Sequence, residues 1–403
     1  MNRDRWVTLL MRGLTVAFVP ARWRAPRRLR RPRRILVLKP CCFGDVVMAT
    51  AAIAALQQAY PRARITLAVG AWSRPAVAAN PRLAALIDSD PAGTAPIGQT
   101  GWAYLALARR LRRARFDAIL VLDRSPVLGL LAWLAGAPVR AGLDSLGRGF
   151  ALTHRVACPP AVARNEVAWY LDVVRALGAP VDAATRTEFY ATPAETAAAA
   201  TALAALGLDP AHPWLVALHT GGGSNPGMQL PAKRWAPDRW AIVLTRLLAA
   251  YPQAAVLLLG GPEAQDRAAA AQIRAGLPPP ARARVYDRVG CYTWGELGAL
   301  VARCRVFLGP DTGALHLAVA AGTPVVAVFG PSDPRRYAPW DPSGRSQVVG
   351  GRATGVDLAA RATALAAVPF HESVDADAVW AAVQQVLARP PAGAPPPPHQ
   401  GGN

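Results

Sequence analysis

Two short segments carry charged side chains where an apolar run of the sequence gives way to a helix-like run. The first runs from Lys39 to Asp45, and the second from Asp311 to Gly313, with His316 one helical turn further on. A helix that opens at such a segment presents free N–H groups and the positive end of its dipole, which bind phosphate well. The second segment therefore predicts a phosphate site, although an ordinary helix cap would use the same residue types.

Asp45 has two interpretations. It follows Gly44 directly, so it could cap the helix that we predict over 46–60. It could also face a cleft and act as a general base. A capping position would stabilise the ionised carboxylate and make it a weaker base. Spacing alone leaves both interpretations open.

Two glycine-rich loops also follow apolar runs. One covers residues 219–224 and the other covers residues 260–263, where Glu263 could equally cap the next helix. Glycines let a backbone approach a ligand closely. Neither loop has the Walker pattern or the GxGxxG pattern, so the loops alone do not identify a ligand.

The elements that would position these segments alternate between short apolar strands and helices. The predicted strands are 35–38, 64–69, 118–122, 139–143, 214–218, 255–259, 285–289, 306–308 and 324–329. Strands and helices that alternate at this spacing predict parallel, doubly wound sheets. Ligands bind at the carboxyl ends of such strands, which is where Lys39 and Asp45 lie.

The chain is long enough for two domains with full cores. We predict an α/β fold with two Rossmann-like domains facing a central cleft. The predicted segments are an N-terminal extension (1–32), an N-terminal domain (33–185), a linker (186–209), a C-terminal domain (210–372), a helix (373–389) and a disordered Pro/Gly tail (390–403).

The composition of the chain favours some classes of binding partner and disfavours others. The 403 residues carry a net charge of +20, which favours nucleic acid, anionic lipid or phosphorylated substrates as partners. The interleaved aromatic and basic residues of single-strand or RNA modules are absent, which disfavours nucleic acid. The only lysines are Lys39 and Lys233, and five cysteines without a CxxC pair fit a reducing compartment.

The N-terminal extension combines an apolar stretch with a basic one. Residues 6–20 are apolar but interrupted by Arg12, and residues 22–34 contain eight arginines. The apolar stretch is too short to span a bilayer, and no signal-peptide cleavage site follows it. Such a segment suits the cytoplasmic face of an anionic membrane, and a disordered basic extension is the alternative. We therefore expect a cytoplasmic protein, peripheral on the inner face of the cytoplasmic membrane.

Several of these segments resemble one family in the same order along the chain. KPCCFGDVVMATAAIAAL, starting at Lys39, resembles the opening motif of the glycosyltransferase family 9 enzymes, the ADP-heptose:lipopolysaccharide heptosyltransferases. WSRP at 72–75, VRAGL at 139–143, AKRWAPDRW at 232–240 and GPDTGALHLAVAAGTPVVAVFGPSDP at 309–334 are similar to its other landmarks. The resemblance covers about residues 33–389. It implies a GT-B fold and inverting, metal-independent transfer from a nucleotide-activated sugar.

The resemblance also implies roles for individual residues. Asp45 matches the catalytic aspartate, the general base, and Lys233 matches the lysine that stabilises the leaving diphosphate. The residues expected to bind the donor are Thr220, Gly221, Gly222, Ser224, Glu263, Asp311, Thr312, Gly313 and His316. The residues expected to bind the acceptor are Lys39, Arg74 and Arg140.

No metal site and no cofactor are expected. Two DxD strings begin at Asp88 and Asp375, and we interpret both as solvent-facing or capping residues. The expected partners are a nucleotide sugar, a lipid-linked glycan acceptor such as lipopolysaccharide core, and an anionic membrane surface.

The chain departs from the family pattern at Cys41, Cys42 and Ala236, which leaves the sugar and the acceptor open. Heptose from ADP-heptose is the expected donor substrate, and another nucleotide sugar for a different cell-surface glycan is the alternative. A sugar-nucleotide-binding protein without transfer activity is a third reading, which the joint presence of Asp45 and Lys233 disfavours.

Overall fold

The computed structural model describes residues 13–23, 25–26, 28–89, 101–225, 228–351 and 374–389. Six parallel strands form the first sheet: β1 (Arg34–Leu38), β2 (Arg64–Val69), β3 (Ala85–Asp88), β4 (Ala118–Val121), β5 (Val139–Asp144) and β6 (His154–Ala157). Their spatial order is β3-β2-β1-β4-β5-β6. The order reverses direction beside β1, so the carboxyl end of β1 lies at a topological switch point.

A second parallel sheet repeats this plan. Its strands are β7 (Leu215–His219), β10 (Ala255–Leu259), β11 (Val285–Asp287), β12 (Val306–Pro310), β13 (Val325–Phe329) and β14 (Gln347–Gly350), in the order β11-β10-β7-β12-β13-β14. Between β7 and β10, the short strands β8 (Gly223–Asn225) and β9 (Met228–Leu230) form an antiparallel pair.

Helices connect the strands and cover both faces of each sheet. In the N-terminal half they are α1 (Val19–Trp23), α2 (Phe43–Ala59), α3 (Gly101–Ala114), α4 (Pro126–Leu134), α5 (Glu166–Arg175) and α6 (Pro193–Ala204). In the C-terminal half they are α7 (Pro237–Ala250), α8 (Ala264–Ala275), α9 (Pro279–Arg282), α10 (Trp294–Val301), α11 (Gly313–Ala320), α12 (Pro334–Tyr337) and α13 (Ala376–Leu387). Short 3₁₀ helices cover Ala71–Ala76 and Pro231–Lys233.

The strands form where the sequence is continuously apolar, as expected for sheets buried on both faces. All of β7, β10 and β13 is buried, and so is β1 after its first residue. The two predicted Rossmann-like halves are confirmed. Three strands, β3, β6 and β14, are not predicted from the sequence: they lie at sheet edges and are only partly buried, so their apolar runs are short.

The two domains share one hydrophobic core, in which α2 packs against α11. A buried carboxylate also joins them. Glu166 accepts hydrogen bonds from both terminal nitrogens of Arg124 in its own domain, at 2.9 and 3.0 Å, and from Arg336 of the other domain at 3.0 Å. Trp340 donates its indole N–H to the carbonyl of Thr185 at 2.8 Å. These contacts hold the two domains in one relative orientation.

The structure tests some of the predictions for the segments outside the sheets and leaves others untested. The linker contains α6, which begins with a capping box between Thr192 and Glu195 and packs against α10. Asp375 caps α13 by accepting from the N–H of Asp377, as expected for the second DxD string. Residues 1–12 and 390–403 lie outside the described residues, so the expectations for the first part of the extension and for the tail stay predictions. No described helix is both long and apolar enough to cross a membrane.

Candidate active site

A cavity of about 390 Å³ lies between the two domains. Its walls come from loops that follow the carboxyl ends of β1, β2, β7, β10, β11, β12 and β13. Ligands of doubly wound sheets bind at this edge because the loops and helix N-termini converge there. Both of the charged segments singled out in the sequence contribute to its walls.

Asp45 lines the cavity from the N-terminal domain. Helix α2 begins at Phe43 with Cys42 as its N-cap, so Asp45 is the third helical residue. The interpretation of Asp45 as the cap is therefore wrong. Its side chain is 30% exposed, which leaves the carboxylate available to a ligand.

Lys39 holds Asp45 in place. The Lys39 ammonium lies 3.3 Å from the Asp45 carboxylate and also 3.3 Å from that of Asp123. Burial alone would lower the pKa of Lys39, but the charges of Asp45, Tyr170 and Asp123 raise it well above its ordinary value. Lys39 is therefore a fixed cation that two carboxylates share, those of Asp45 and Asp123.

Lys233 lines the opposite wall, where it forms a largely buried ion pair. Its ammonium donates to Asp311 at 2.6 Å, and His316 Nε2 lies 3.7 Å from the same carboxyl group. Burial would raise the pKa of Asp311, but Lys233 and His316 outweigh burial and hold that pKa far below its usual range. Asp311 is thus ionised and holds the Lys233 ammonium in place, and that ammonium has further N–H groups to donate to an anion.

Helix α11 points its N-terminus at the same space. Its N-cap residue, Thr312, makes no side-chain capping bond, and among the described residues its buried hydroxyl has no hydrogen-bond partner. A buried hydroxyl without a partner is costly unless a ligand or water satisfies it. The Thr312 hydroxyl, the free N–H groups of α11 and Lys233 together make this wall suited to a phosphate.

Two glycines allow the two walls to approach. A Cβ at Gly44 would lie 3.0 Å from the His316 ring, and one at Gly313 would lie 3.0 Å from the Phe43 ring. Both contacts are tighter than ordinary side chains tolerate. Glycine at these positions thus lets the first turn of α2, with Asp45, face the first turn of α11.

The two glycine-rich loops are joined beside the cavity, where the N–H of Thr220 donates to the carbonyl of Leu259 at 2.8 Å. Within the loops, Asp266 accepts from the N–H of Gly261 at 2.8 Å, and His219 Nδ1 accepts from the N–H of Gly221 at 3.2 Å. Burial lowers the pKa of His219 to about 4, against the opposing charge of Asp266, so its imidazole is neutral near pH 7. Gly222 also lines the cavity.

The remaining expected donor residues differ in where they lie. Glu263 lines the cavity and is the N-cap residue of α8, without a side-chain capping bond. Thr220 lies beneath the surface of the cavity, where its hydroxyl donates to the carbonyl of Leu259 at 3.1 Å. Gly221 is buried beside it. The side chain of Ser224 lies outside the described part of the chain.

Aromatic residues that sequence analysis did not select also line the cavity. Phe43 and Trp294 stack across the domain boundary with centroids 3.8 Å apart, and Trp72, Tyr292 and Tyr337 add further ring surface. Such surfaces suit the flat base of a nucleotide. Each residue follows the carboxyl end of a strand by a few positions, and that placement is the signal that could have identified them.

The expected acceptor residues are not brought together. Lys39 is buried and contacts Asp45, and Arg74 is exposed on the 3₁₀ helix that also carries the lining residue Trp72. Arg140 is buried at the amino end of β5, where it donates to the carbonyls of Ala151 and Ala137 at 2.8 and 2.7 Å. The expectation that Arg140 binds the acceptor is therefore wrong, since the amino edge of the sheet is opposite the cleft.

Among the described residues, no group of three or more His, Cys, Asp or Glu side chains could hold a metal ion. The expected independence of the reaction from metal ions stays a prediction.

Comparison with known proteins finds relatives of this chain in sequence and in fold. The sequence model described as glycosyltransferase family 9 (heptosyltransferase) matches residues 104–355, which is more than half of the chain. Lipopolysaccharide heptosyltransferase 2 of Escherichia coli (strain K12) is 27% identical over 312 residues, which cover 75% of this chain and 84% of the relative.

Solved structures share the fold. The glycosyl transferase family 9 structure from Veillonella parvula aligns with a TM-score of 0.74 and 21% identity, covering 88% of this chain and 97% of that one. The structure of Escherichia coli ADP-heptose lps heptosyltransferase II aligns with a TM-score of 0.65 and 23% identity, covering 88% and 98%. The two facing Rossmann-like domains therefore form a GT-B fold.

Proposed function

The chain belongs to glycosyltransferase family 9, and from this premise we propose that it transfers heptose from ADP-heptose to a lipopolysaccharide core or a related glycan, with inversion and without a metal ion. The observation that carries the proposal is the pairing of two walls in one cavity. One wall offers a carboxylate, Asp45, and the other offers the Lys233 ammonium, the Thr312 hydroxyl and a helix N-terminus.

The cationic wall suits the leaving group. When the bond between the sugar and the diphosphate breaks, the diphosphate takes the electron pair and gains negative charge. Lys233 is held in place by Asp311, so it can stabilise that charge without reorganising. Fixed donors of this kind can supply the charge stabilisation that a divalent ion supplies in other transferases, which is why we propose that none is needed.

The carboxylate wall suits the acceptor. Asp45 takes the proton of an acceptor hydroxyl while the oxygen of that hydroxyl attacks the anomeric carbon. The new C–O bond forms on the side of Asp45, and the old one breaks on the side of Lys233. A single displacement with these two groups on opposite sides inverts the anomeric centre.

The donor is proposed from the relatives and from the walls of the cavity. One aligned structure is named an ADP-heptose heptosyltransferase, and one relative is named a lipopolysaccharide heptosyltransferase. The partly buried ring of Trp294, which stacks on the buried Phe43, offers a surface for the purine, and Glu263 offers a carboxylate for ribose hydroxyls. Transfer from another nucleotide sugar remains the alternative.

A panel of nucleotide sugars tests the proposal in two steps. A ligand that binds only the folded state raises the midpoint of thermal unfolding. ADP-heptose should raise it more than UDP- and GDP-sugars do, and with heptose-deficient lipopolysaccharide core it should release ADP. Asp45→Asn is the matched control, because it should keep the thermal shift but lose ADP release. A larger shift and turnover with a UDP-sugar would contradict the proposed donor.

The proposed acceptor also implies where in the cell the enzyme works. We propose that the enzyme works at the inner face of the cytoplasmic membrane, since its acceptor is a lipid-linked glycan. The arginines of residues 22–34 would contribute electrostatic attraction to anionic lipid.

A further inference from the structure

We propose that the outer face of helices α3 and α4 is a docking surface for an anionic lipid bilayer. The helices pack against each other on one face of the first sheet, through Leu107, Leu111, Leu128 and Leu131. Their opposite sides form the outside of the N-terminal domain. The inference rests on the proposed function, because it names the surface from which that enzyme would reach a lipid-linked acceptor.

The charge of this surface is of one sign. Helix α3 contains Arg109, Arg110, Arg112 and Arg113, all exposed, and neither α3 nor α4 contains an aspartate or glutamate. Among the described residues, none of the four arginines forms a salt bridge with a protein carboxylate. Four adjacent cations that pair with no carboxylate in the described part of the chain are complementary to a surface of anionic head groups.

Apolar side chains lie on the same surface. Trp102 is 75% exposed and falls on one stripe of α3 with Leu105 and Arg109. Helix α4 exposes Val127, Leu130 and Trp133. Scattered apolar side chains need no explanation, but large ones on two neighbouring helices, beside unpaired arginines, are typical of an interfacial membrane contact.

The N-terminal segment continues this surface. The ring of Phe18 packs edge-on against those of Trp133 and Phe150, with centroids 5.4 and 5.5 Å away. At the other side, the Arg34 guanidinium donates to the carbonyl of Ala114, the last residue of α3. The basic end of α3 therefore lies next to the arginine-rich stretch before β1.

The direction of the helices connects this surface with the active site. Both α3 and α4 lead into the amino ends of parallel strands, so their own first turns lie towards the carboxyl edge. Trp102 and Val127, in the first turns, are thus near the edge that carries the cavity, and the arginines lie further away. Helix α2, which carries Asp45, packs on the other face of the same sheet, so a bilayer on the α3–α4 face would present a lipid-linked glycan to the carboxyl edge that both faces share.

The charge part of the proposal is tested by co-sedimentation of the full chain with vesicles. The chain should bind vesicles of phosphatidylethanolamine and phosphatidylglycerol, bind pure phosphatidylcholine far less, and lose binding as salt is raised. Arg109→Gln/Arg110→Gln/Arg113→Gln should weaken binding by roughly fivefold for each charge, hence on the order of 100-fold. The matched control is Arg62→Gln/Arg186→Gln/Arg267→Gln, which removes three exposed charges elsewhere and should weaken binding far less.

The apolar part is tested by a second matched pair. Val127→Ser/Leu130→Ser changes side chains that are 43% and 36% exposed, and its control Ile242→Ser/Val348→Ser changes side chains that are 44% and 39% exposed in the other domain. The first variant should bind phosphatidylglycerol vesicles roughly tenfold more weakly, and the control should bind as the wild type does. Unchanged thermal unfolding shows that each variant is folded.

The outcomes separate the surface from the enzyme. Weaker vesicle binding by both test variants, with normal turnover on a delipidated, water-soluble acceptor, supports the surface. Equal binding by each variant and its control would overturn it, and so would binding that is lost when residues 1–12 are deleted but kept in the arginine variant. If no variant and no wild type turns over any nucleotide sugar, the proposed function fails whatever the vesicles show.

Discussion

Replacing Lys233 by methionine tests the leaving-group account most directly, because two separate effects can be worked out from the structure. The side chain keeps most of its apolar stem but loses the terminal ammonium that lies 2.6 Å from Asp311. Loss of one fixed donor to developing negative charge costs about 10²–10³ in turnover. Loss of the partner of a buried carboxylate also destabilises the fold by about 3 kcal/mol, the lower end of the range, because His316 lies 3.7 Å from the same carboxyl group.

The second substitution separates these effects. In Lys233→Met/Asp311→Asn no buried charge is left without a partner, so the stability should return to within about 1 kcal/mol of the wild type. Turnover should not return, since the diphosphate still lacks its cation. In a domain of this size the loss in the single variant corresponds to roughly 6–12 °C in the unfolding midpoint.

A neighbouring ion pair provides the control. Arg234 pairs with the buried carboxylate of Asp266 at 2.6 Å, on the loops beside Lys233. Arg234→Met should therefore destabilise the protein as Lys233→Met does, but should keep turnover at saturating donor within about tenfold of the wild type. Turnover is measured as ADP release and stability by thermal unfolding. If Lys233→Met/Asp311→Asn regained a tenth or more of wild-type turnover, Lys233 would be only a structural partner of Asp311.

Three further outcomes are expected. Asp45→Asn should lower turnover by about 10²–10⁴ and leave the donor dissociation constant unchanged. The control, Asp123→Asn, removes the other carboxylate on Lys39 and should lower turnover far less. Near-normal turnover of Asp45→Asn would rule out Asp45 as the base. Turnover should survive excess EDTA, and a loss that Mg²⁺ or Mn²⁺ restores would contradict the role given to Lys233. Burial holds the pKa of His219 at about 4 in the folded protein, against 6.5 in the unfolded chain. The contribution of His219 to the free energy of unfolding is therefore complete above pH 6.5 and is lost as the pH falls towards 4. The loss is on the order of 3 kcal/mol. His219→Asn, which keeps an acceptor for the N–H of Gly221, should flatten urea-unfolding midpoints over that range, and an unchanged slope would show that His219 is not the group responsible.

Much of the fold could be read from local patterns. Buried parallel strands require continuous apolar runs, and helices after them require caps and glycines, so β1, β7, β10, β12 and β13 were found with nearly their observed bounds. The edge strands β3, β6 and β14 were not found, because an edge strand buries less of its surface and therefore has a weaker apolar pattern. The same local reasoning placed Asp45 and Asp311 at strand ends. It could not decide whether Asp45 caps a helix, since the start of α2 depends on how the preceding loop packs.

The pairing of the site was decided by tertiary structure. Lys233 and Asp311 are 78 residues apart, and Lys39 and Asp123 are 84 apart. Lys39 and Asp123 meet because β1 and β4, which precede them, are neighbours in the first sheet. Lys233 follows the β8–β9 pair, which comes after β7, and β7 is the neighbour of β12, which leads to Asp311. Strand order is not a local property of sequence. Arg140 illustrates the same limit, since a motif located it correctly but its position at the amino end of β5 turned it into the protein. The sequence by itself determined which residue types were available at strand ends, and the order of the strands together with the packing of α2 on α11 determined which of them share one cavity.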